Sequence, residues 1–500
     1  MVAVVVLSVA VYAAFTRRYF LPNTLQPLRG HIGTLNKFRL DAMAWHAFGG
    51  LALHVAYIVG ALMIWRAAPS RRLVALVWGG AVVAGLVLVA IFPVTSTDIF
   101  DYLFRGRMAA AYGANPYIAV PNLFKQDPLF ATVGWPNAPS AYGPLWEILS
   151  RSMAALGGAT LLPNVWLHKA LAFATYLACG GVIWWLTAPQ GRRVQLVASF
   201  VWLWSPLTLW EIVAAGHNDG LLILSVLLAV WAAERRRILT AVVILTVGTL
   251  LKFLPILLLP LVVVYGMRQH PTWRARLYLG TASVAIFVVL TVAAYAPYWE
   301  GPATLRNIAV RENFVTAAPW AAVSYGLRQA GPLDAINDLL VRFNLPHPAN
   351  REDIIKGVSR VASTFLGIGI LWQLWQIVRH RRSFYLATWS LLLWYLVLGS
   401  QWFQPWYVLW LLALLALHPE RRAWGWLTAW ALAGQTSYLL QFFVQPLLQR
   451  SDKALTGQHP LIQLAYCGLI FGPPLLVWSI TAWNGRSRSD VEAHPTPQPA

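Results

Sequence analysis

The chain has 500 residues, 58% hydrophobic and 11% charged, with a mean hydropathy of +0.57 and a formal net charge of +20. A soluble chain carries about 25% charged residues, so a soluble globular protein is excluded. The positive charge sits in short connectors between apolar runs, not on a basic surface interleaved with stacking aromatics; this excludes a nucleic-acid partner and leaves the lipid bilayer as the surroundings.

Crossing the hydrocarbon as a helix takes about 20 apolar residues. Spans are expected near residues 2–15 (a short one), 43–65, 73–93, 164–187, 195–214 and 218–233. Residues 238–298 hold three more. The first part of this stretch has basic loops at both ends, which demands an even number of crossings, so two short helices should meet near Lys252 and Pro255 with Lys252 at the tip. The series closes with 361–379, 383–400, 405–418, 423–446 and 460–484. The fold class is therefore an all-α polytopic membrane protein with about 13 to 14 transmembrane helices.

The clusters Arg66/Arg71/Arg72, Arg192/Arg193, Arg235–Arg237, Arg268/Arg274/Arg276, Arg379/Arg381/Arg382, Arg421/Arg422 and Arg486/Arg488 then all fall on one side. The positive-inside rule makes that side cytoplasmic. Loops 94–163, 299–360 and 447–459 fall outside. One segment disagrees: residues 16–41 carry Arg17, Arg18, Arg29, Lys37 and Arg39, yet alternation puts them outside. The two longest outer loops are rich in Trp, Tyr, Leu and Pro and read as ordered. Within the first, "DIFDYLFRGRMAAAYG" and "PLWEILSRSMAAL" show helical spacing and should lie in the interface plane. The Pro-rich tail reads as disordered. The chain divides into an N-terminal transmembrane extension (1–72), a catalytic membrane core (73–420), C-terminal helices (421–485) and a cytoplasmic tail (486–500). The two cysteines, Cys179 and Cys467, lie in apolar runs, so no disulfide framework is expected.

An ordered loop on one face suggests a site there. Asp98 and Asp101 are three residues apart on a predicted helix and share a face. One can cap the helix start; alternatively, an ionised aspartate at the surface can take a proton from a hydroxyl nucleophile. Arg105 and Arg107 follow on the same helix and could bind lipid headgroups or a leaving phosphate. Lys252, inside an apolar run, either snorkels or meets a partner. "WEIVAAGHND" brings Glu211, His217, Asn218 and Asp219 to one outer turn, as a solvated connector or as ligands for sugar hydroxyls. No ligand spacing supports a metal, although Asp98, His217 and Asp219 are the residues that would form such a site. "QWFQPWYVLW" supplies Trp402, Trp406 and Tyr407, as an aromatic belt or as a platform for a sugar or isoprenoid. "NAPSAYGPLW" has turn chemistry that presents Tyr142.

In order, "STDIFDYLFRGRMAAAYGANPY", "WPNAPSAYGPLW", "SPLTLWEIVAAGHNDGLLI", "LLKFLPILLLP" and "QPWYVLW" resemble the polyprenyl-phosphate-mannose-dependent mannosyltransferases of actinobacterial lipomannan synthesis, within the wider GT-C glycosyltransferases. The resemblance covers roughly residues 75–420. It implies a multi-helix fold with an active site on the extracytoplasmic face of the cell membrane, a polyprenyl-phosphate sugar donor and an inverting reaction, with Asp98 as catalytic base and Lys252 and His217 to Asp219 bordering the cavity. Joined with the reading of the residues themselves, the expectation is a glycan or glycolipid acceptor, no cofactor with a divalent metal as the alternative, Asp101 as a second acid, Lys252, Arg105 and Arg107 at the donor phosphate, and Tyr102, Tyr142, His217, Asn218, Asp219, Trp402, Trp406 and Tyr407 around the sugars. The chain departs from the family where a small polar residue usually stands for Asp101 and a glutamine for Arg105. Two rivals are a transporter or flippase of a lipid-linked sugar and a noncatalytic subunit of a cell-envelope assembly. The absence of an internal repeat weighs against the first.

Overall fold

The computed structural model describes residues 1–25, 30–305, 315–329, 341–342 and 351–492. Arg29, much of the 299–360 loop and the end of the Pro-rich tail lie outside the described residues, as do the side chains of Arg486 and Arg488. The protein is an all-α polytopic membrane protein. Among the described residues, β-structure is limited to isolated bridges such as Phe20 with Ile91 and Thr316 with Trp402.

Among the described residues, six helices are long and apolar enough to cross a bilayer: Leu40–Arg66, Arg71–Val89, Leu161–Leu186, Trp273–Tyr298, Ile354–Val378 and Pro460–Thr481. A seventh candidate, Arg192–Leu203 plus Pro206–Ala214, is bent by 49°. The bend has a local cause. Pro206 has no N–H to give the preceding turn, and the Ser205 hydroxyl caps the new start by accepting from the Thr208 N–H. Four apolar helices are shorter: Ile238–Leu251, Leu254–Met267, Phe384–Gly399 and Pro405–Leu417. The first two were expected to be short, and the last two occupy the spans expected at 383–400 and 405–418.

The first two of these short helices form the hairpin read from the sequence. Ile238–Leu251 stops at Lys252, and the chain turns back through a 3-10 segment carrying Pro255. Val2–Arg18, the span of uncertain length, runs the depth of the bundle. Its start meets Met63, and beyond its end Leu21 N–H donates to Ala90 O at 2.8 Å. Residues 19–32 thereby join the chain that leads to Asp98, with Phe92 N–H donating to Tyr19 O and Ile32 N–H to Val94 O. Two cations of this anomalous segment have local partners: Arg18 reaches Asn36 at 2.6 Å and Arg39 pairs with Asp41.

The basic connectors meet at one end of the bundle. Arg268 donates to Ile377 O and Arg382 O, Tyr385 N–H to Glu234, and Gln190 to Leu417 O. Arg192, Arg381 and Arg421 lie over Trp184, Trp375 and Trp65. The main hydrophobic cluster runs from Val5 to Phe471, so the N- and C-terminal helices share the core of the middle segment, and a smaller one gathers Tyr117, Leu250, Tyr295 and Tyr298.

Helices Asp98–Ala111 and Pro144–Gly157 pack on each other, with Gly106 against the Ser150 backbone, where a Cβ would collide. The polar side of Asp98–Ala111 is largely buried too: Asp101 is 3% and Arg105 4% exposed. The adjoining loop covers it, with the Gly134 and Trp135 N–H groups donating to Asp101.

Candidate active site

A cavity of about 800 Å³ lies away from the basic connectors. Its wall is built by Thr95–Asp98, the 135–142 loop, the Lys252 hairpin tip, and the stretch around Trp402–Trp410. The approach to Asp98 is fixed by groups the sequence reading missed. Lys169, in the middle of a span, is wholly buried and donates to Ile91 O at 2.7 Å and Ala214 O at 2.6 Å. One lysine nitrogen therefore ties together the stretches of chain that lead to Asp98 and to His217. Trp210 Nε1 donates to Thr95 Oγ1 at 3.1 Å. The rule applied to Lys252, that a lysine within an apolar run needs a partner, would have found Lys169 too.

Asp98 opens its helix, but Thr97, in the capping position, makes no side-chain cap. Asp98 Oδ2 accepts from the hydroxyls of Tyr142 (3.3 Å) and Tyr102 (3.4 Å) and lies 3.6 Å from His217 Nδ1. Its side chain is 21% exposed, facing the cavity. Burial, and secondarily the charge of Asp101, pushes its pKa up to about 6, while Lys252 pulls the other way. A carboxylate with that proton affinity is suited to general-base work near neutral pH.

Asp101 is placed differently. Its oxygens accept from Arg105 (3.1 Å) and from the N–H groups of Trp135 (3.1 Å) and Gly134 (3.3 Å). It fastens the covering loop. Gly134 is required there, since a Cβ would press on Thr97 and Asp101. Arg105 lines the cavity and also holds Ala138 O. Arg107 does not line the cavity. It pairs with Asp127 at 2.5 Å and donates to Gly158 O, which removes it from the set of phosphate-facing cations.

Lys252 lines the cavity and donates to Asp219 Oδ2 at 2.5 Å and Asn218 Oδ1 at 3.3 Å. It stands 5.8 Å from the centre of the Tyr142 ring. The two meet because Gly143 N–H docks on Leu251 O, at a spot where a Cβ would strike Leu250 O. Ser140 orders the same turn by donating to Glu147 while accepting from the Tyr142 N–H. Glu147, a second buried acid that the sequence reading passed over, is pushed up to about 7 by burial. Its surroundings come from distant loops, so "PLWEILS" alone carries no signal of it.

His217 and Asp219 are wholly buried and stand behind the cavity wall. Trp410 Nε1 donates to Asp219 Oδ1 at 2.9 Å, and Trp406 stacks on His217 with centroids 3.8 Å apart. Burial and Lys252 keep the imidazole neutral. Gly216, at φ +78°, makes the turn that delivers His217, in a conformation that disfavours side chains. Trp402, Trp406 and Tyr407 line the cavity, and Tyr102 stays buried behind Asp98. Among the described residues, no group of three or more His, Cys, Asp or Glu is arranged to hold a metal.

Three relatives align with the chain over part of its length. "Probable alpha-(1->6)-mannopyranosyltransferase" of Mycolicibacterium smegmatis is 28% identical over 149 residues, 26% of this chain and 24% of the relative. "Alpha-(1->6)-mannopyranosyltransferase B" of Corynebacterium glutamicum is 28% identical over 152 residues, 29% of this chain and 24% of the relative. An alpha-(1->6)-mannopyranosyltransferase of Mycobacterium tuberculosis is 26% identical over 138 residues, 26% of this chain and 22% of the relative. The alignments thus span about a quarter of each curated relative. The sequence pattern of one family covers residues 1–268, more than half the chain and everything from the first helix through the Lys252 hairpin, and the chain belongs to that family, described as alpha-(1->6)-mannopyranosyltransferase, N-terminal domain.

Proposed function

We propose that the protein is an integral membrane glycosyltransferase that moves a hexose, mannose by the names of its relatives, from a polyprenyl-phosphate sugar to an acceptor hydroxyl on the extracytoplasmic face. The observation that carries this reading is Asp98: a partly exposed carboxylate on the wall of a large cavity, steered by two tyrosine hydroxyls, in a cavity that also holds Lys252 and Arg105. The apolar side of the cavity, with Phe253, Leu254, Ile256 and Leu257, suits an isoprenoid tail. The crowding of arginines at the opposite end supports an extracytoplasmic site.

In this mechanism Asp98 takes the proton of the acceptor hydroxyl. The freed oxygen attacks the anomeric carbon from the side opposite the polyprenyl phosphate, which inverts the configuration. The phosphate departs with the bonding electrons, and Lys252 and Arg105 offset its charge. No acid is needed for this leaving group. Trp402, Trp406 and Tyr407 offer faces for the sugar rings. His217 and Asp219 act from behind, on Asp98 and Lys252. Asp98→Asn membranes, given labelled polyprenyl-phosphate mannose and assayed by mass spectrometry, should lose transfer at unchanged protein level, a deficit of about 10²-fold or more. Wild-type turnover in that variant would remove Asp98 as the base.

A further inference from the structure

We propose that Glu211 is a positioning residue: a protonated carboxylic acid that donates to His217 Nε2, fixes His217 as the tautomer carrying its proton on Nδ1, and so aims that N–H at Asp98. Nothing in the family resemblance assigns Glu211 a role. The inference deepens the transferase reading and rests on it.

The geometry is a line of three groups. Glu211 Oε2 lies 3.3 Å from His217 Nε2, and His217 Nδ1 lies 3.6 Å from Asp98 Oδ2. Glu211 and His217 are both wholly buried. Among the described residues, neither ring nitrogen of His217 has a formed hydrogen bond, and the carboxyl oxygens that stand nearest to them are those of Glu211 and Asp98. Stacking on Trp406 fixes the plane of the ring. The backbone sets the spacing: Glu211 sits in the π-helical turn Leu209–Ala214, and His217 N–H donates to Glu211 O.

Two carboxyl groups on either side of a neutral imidazole leave open which one holds a proton. Asp98 has access to water, two tyrosine donors, and Lys252 across the cavity; Asp101 and Asp219 are the acids near it. Glu211 is wholly buried, faces no cation, and has one tyrosine hydroxyl where Asp98 has two. The groups that face it are His217, the Tyr438 hydroxyl, and the acids Asp219 and Asp98. The nearby cation, Lys252, is committed to Asp219 and Asn218. An unpaired buried carboxylate beside other acids stays protonated. Paired titratable groups in contrasting surroundings divide acid and base roles. Glu211 therefore keeps its proton and Asp98 is the ionised partner. During transfer the hydroxyl proton goes to Asp98, and Glu211 neither gains nor loses one. The His217 N–H keeps the Asp98 carboxylate ionised and oriented until then.

Two measurements test this. The first is infrared difference spectroscopy of purified wild-type protein against Glu211→Gln, at neutral pH and without substrate. The carbonyl stretch of a protonated carboxylic acid should be present in the wild type and missing in the variant. Loss of carboxylate bands instead would mean that Glu211 is ionised and would overturn the proposal. The second is kinetic. Glu211→Met removes the donor, so kcat should fall about 10- to 100-fold through misplacement of the base. The donor KM should hold, and the acid limb of the kcat profile should move to higher pH as Asp98 loses its N–H partner. Glu211→Gln keeps an N–H at that place and should recover most of the loss. Equal losses in both variants, or a wild-type pH profile in Glu211→Met, would also overturn it. If Glu211→Met does not accumulate in membranes, the infrared comparison decides. Wild-type protein without any transferase activity would sink the transferase reading, yet the infrared result would still report on Glu211.

Discussion

Asp98 does not work with the acid one turn further on. The sequence puts Asp98 and Asp101 on one helical face, but loop backbone claims Asp101, while Tyr102 of the same helix and Tyr142 and His217 from two other segments surround Asp98. A base whose pKa is pushed up to about 6 must be ionised to act, so transfer should fall as pH drops through about 6 and hold above it. Lys252 favours the ionised form. Replacing it, as Lys252→Met, should move that limb up by about one pH unit and raise the donor KM. The pH profile of kcat in purified protein checks both, and an unmoved limb would separate Lys252 from the base. Asp98 and Lys252 were legible in the sequence because a charge next to or inside an apolar run has few explanations. Arg107 was misread because its partner, Asp127, lies 20 residues away in a loop without periodicity. Lys169 was legible by the rule applied to Lys252 and was overlooked, while the burial of Glu147 comes from packing that its own short segment does not announce.

At the level of elements, the site is assembled from interrupted helices. Pro206 bends one span, Lys252 ends another, and π-helical turns occur at 209–214, 395–399 and 440–444, beside or within reach of the cavity. Such turns often mark functional sites because they loosen the regular ladder and redirect side chains. The interruptions carried by proline could be read from the sequence. The π-turns at 395–399 and 440–444 could not, because their apolar composition matches that of ordinary helix. Lys169 joins two of these ends. Lys169→Met leaves Ile91 O and Ala214 O without their donor, and the arms bearing Asp98 and His217 should separate slightly. A displacement of about 1 Å costs on the order of 100-fold in rate, so kcat should fall by about 10- to 100-fold with the protein still present in membranes. Full activity in a well-expressed variant would show that other contacts hold the arms.

For the molecule as a whole, the class of fold and the gathering of basic connectors were legible, because hydropathy and arginine placement act over many residues. The places where helices break were legible only in part, since a broken helix and a whole one share the same composition. The orientation that goes with the proposed function is open to a direct check. In a Cys467→Ser background, a membrane-impermeant maleimide on intact cells should label Leu123→Cys, at a site 70% exposed in the covering loop. It should reach Arg193→Cys, at an exposed basic connector, only after permeabilisation. The reverse pattern would turn the cavity towards the cytosol. Because the arginines gather at one end and the reacting groups at the other, the signals for insertion and the chemistry are carried by separate residues. Neutralising enough connectors could therefore invert the protein without altering a single atom of the cavity, leaving a correctly folded catalyst facing the wrong compartment, silent for want of substrate.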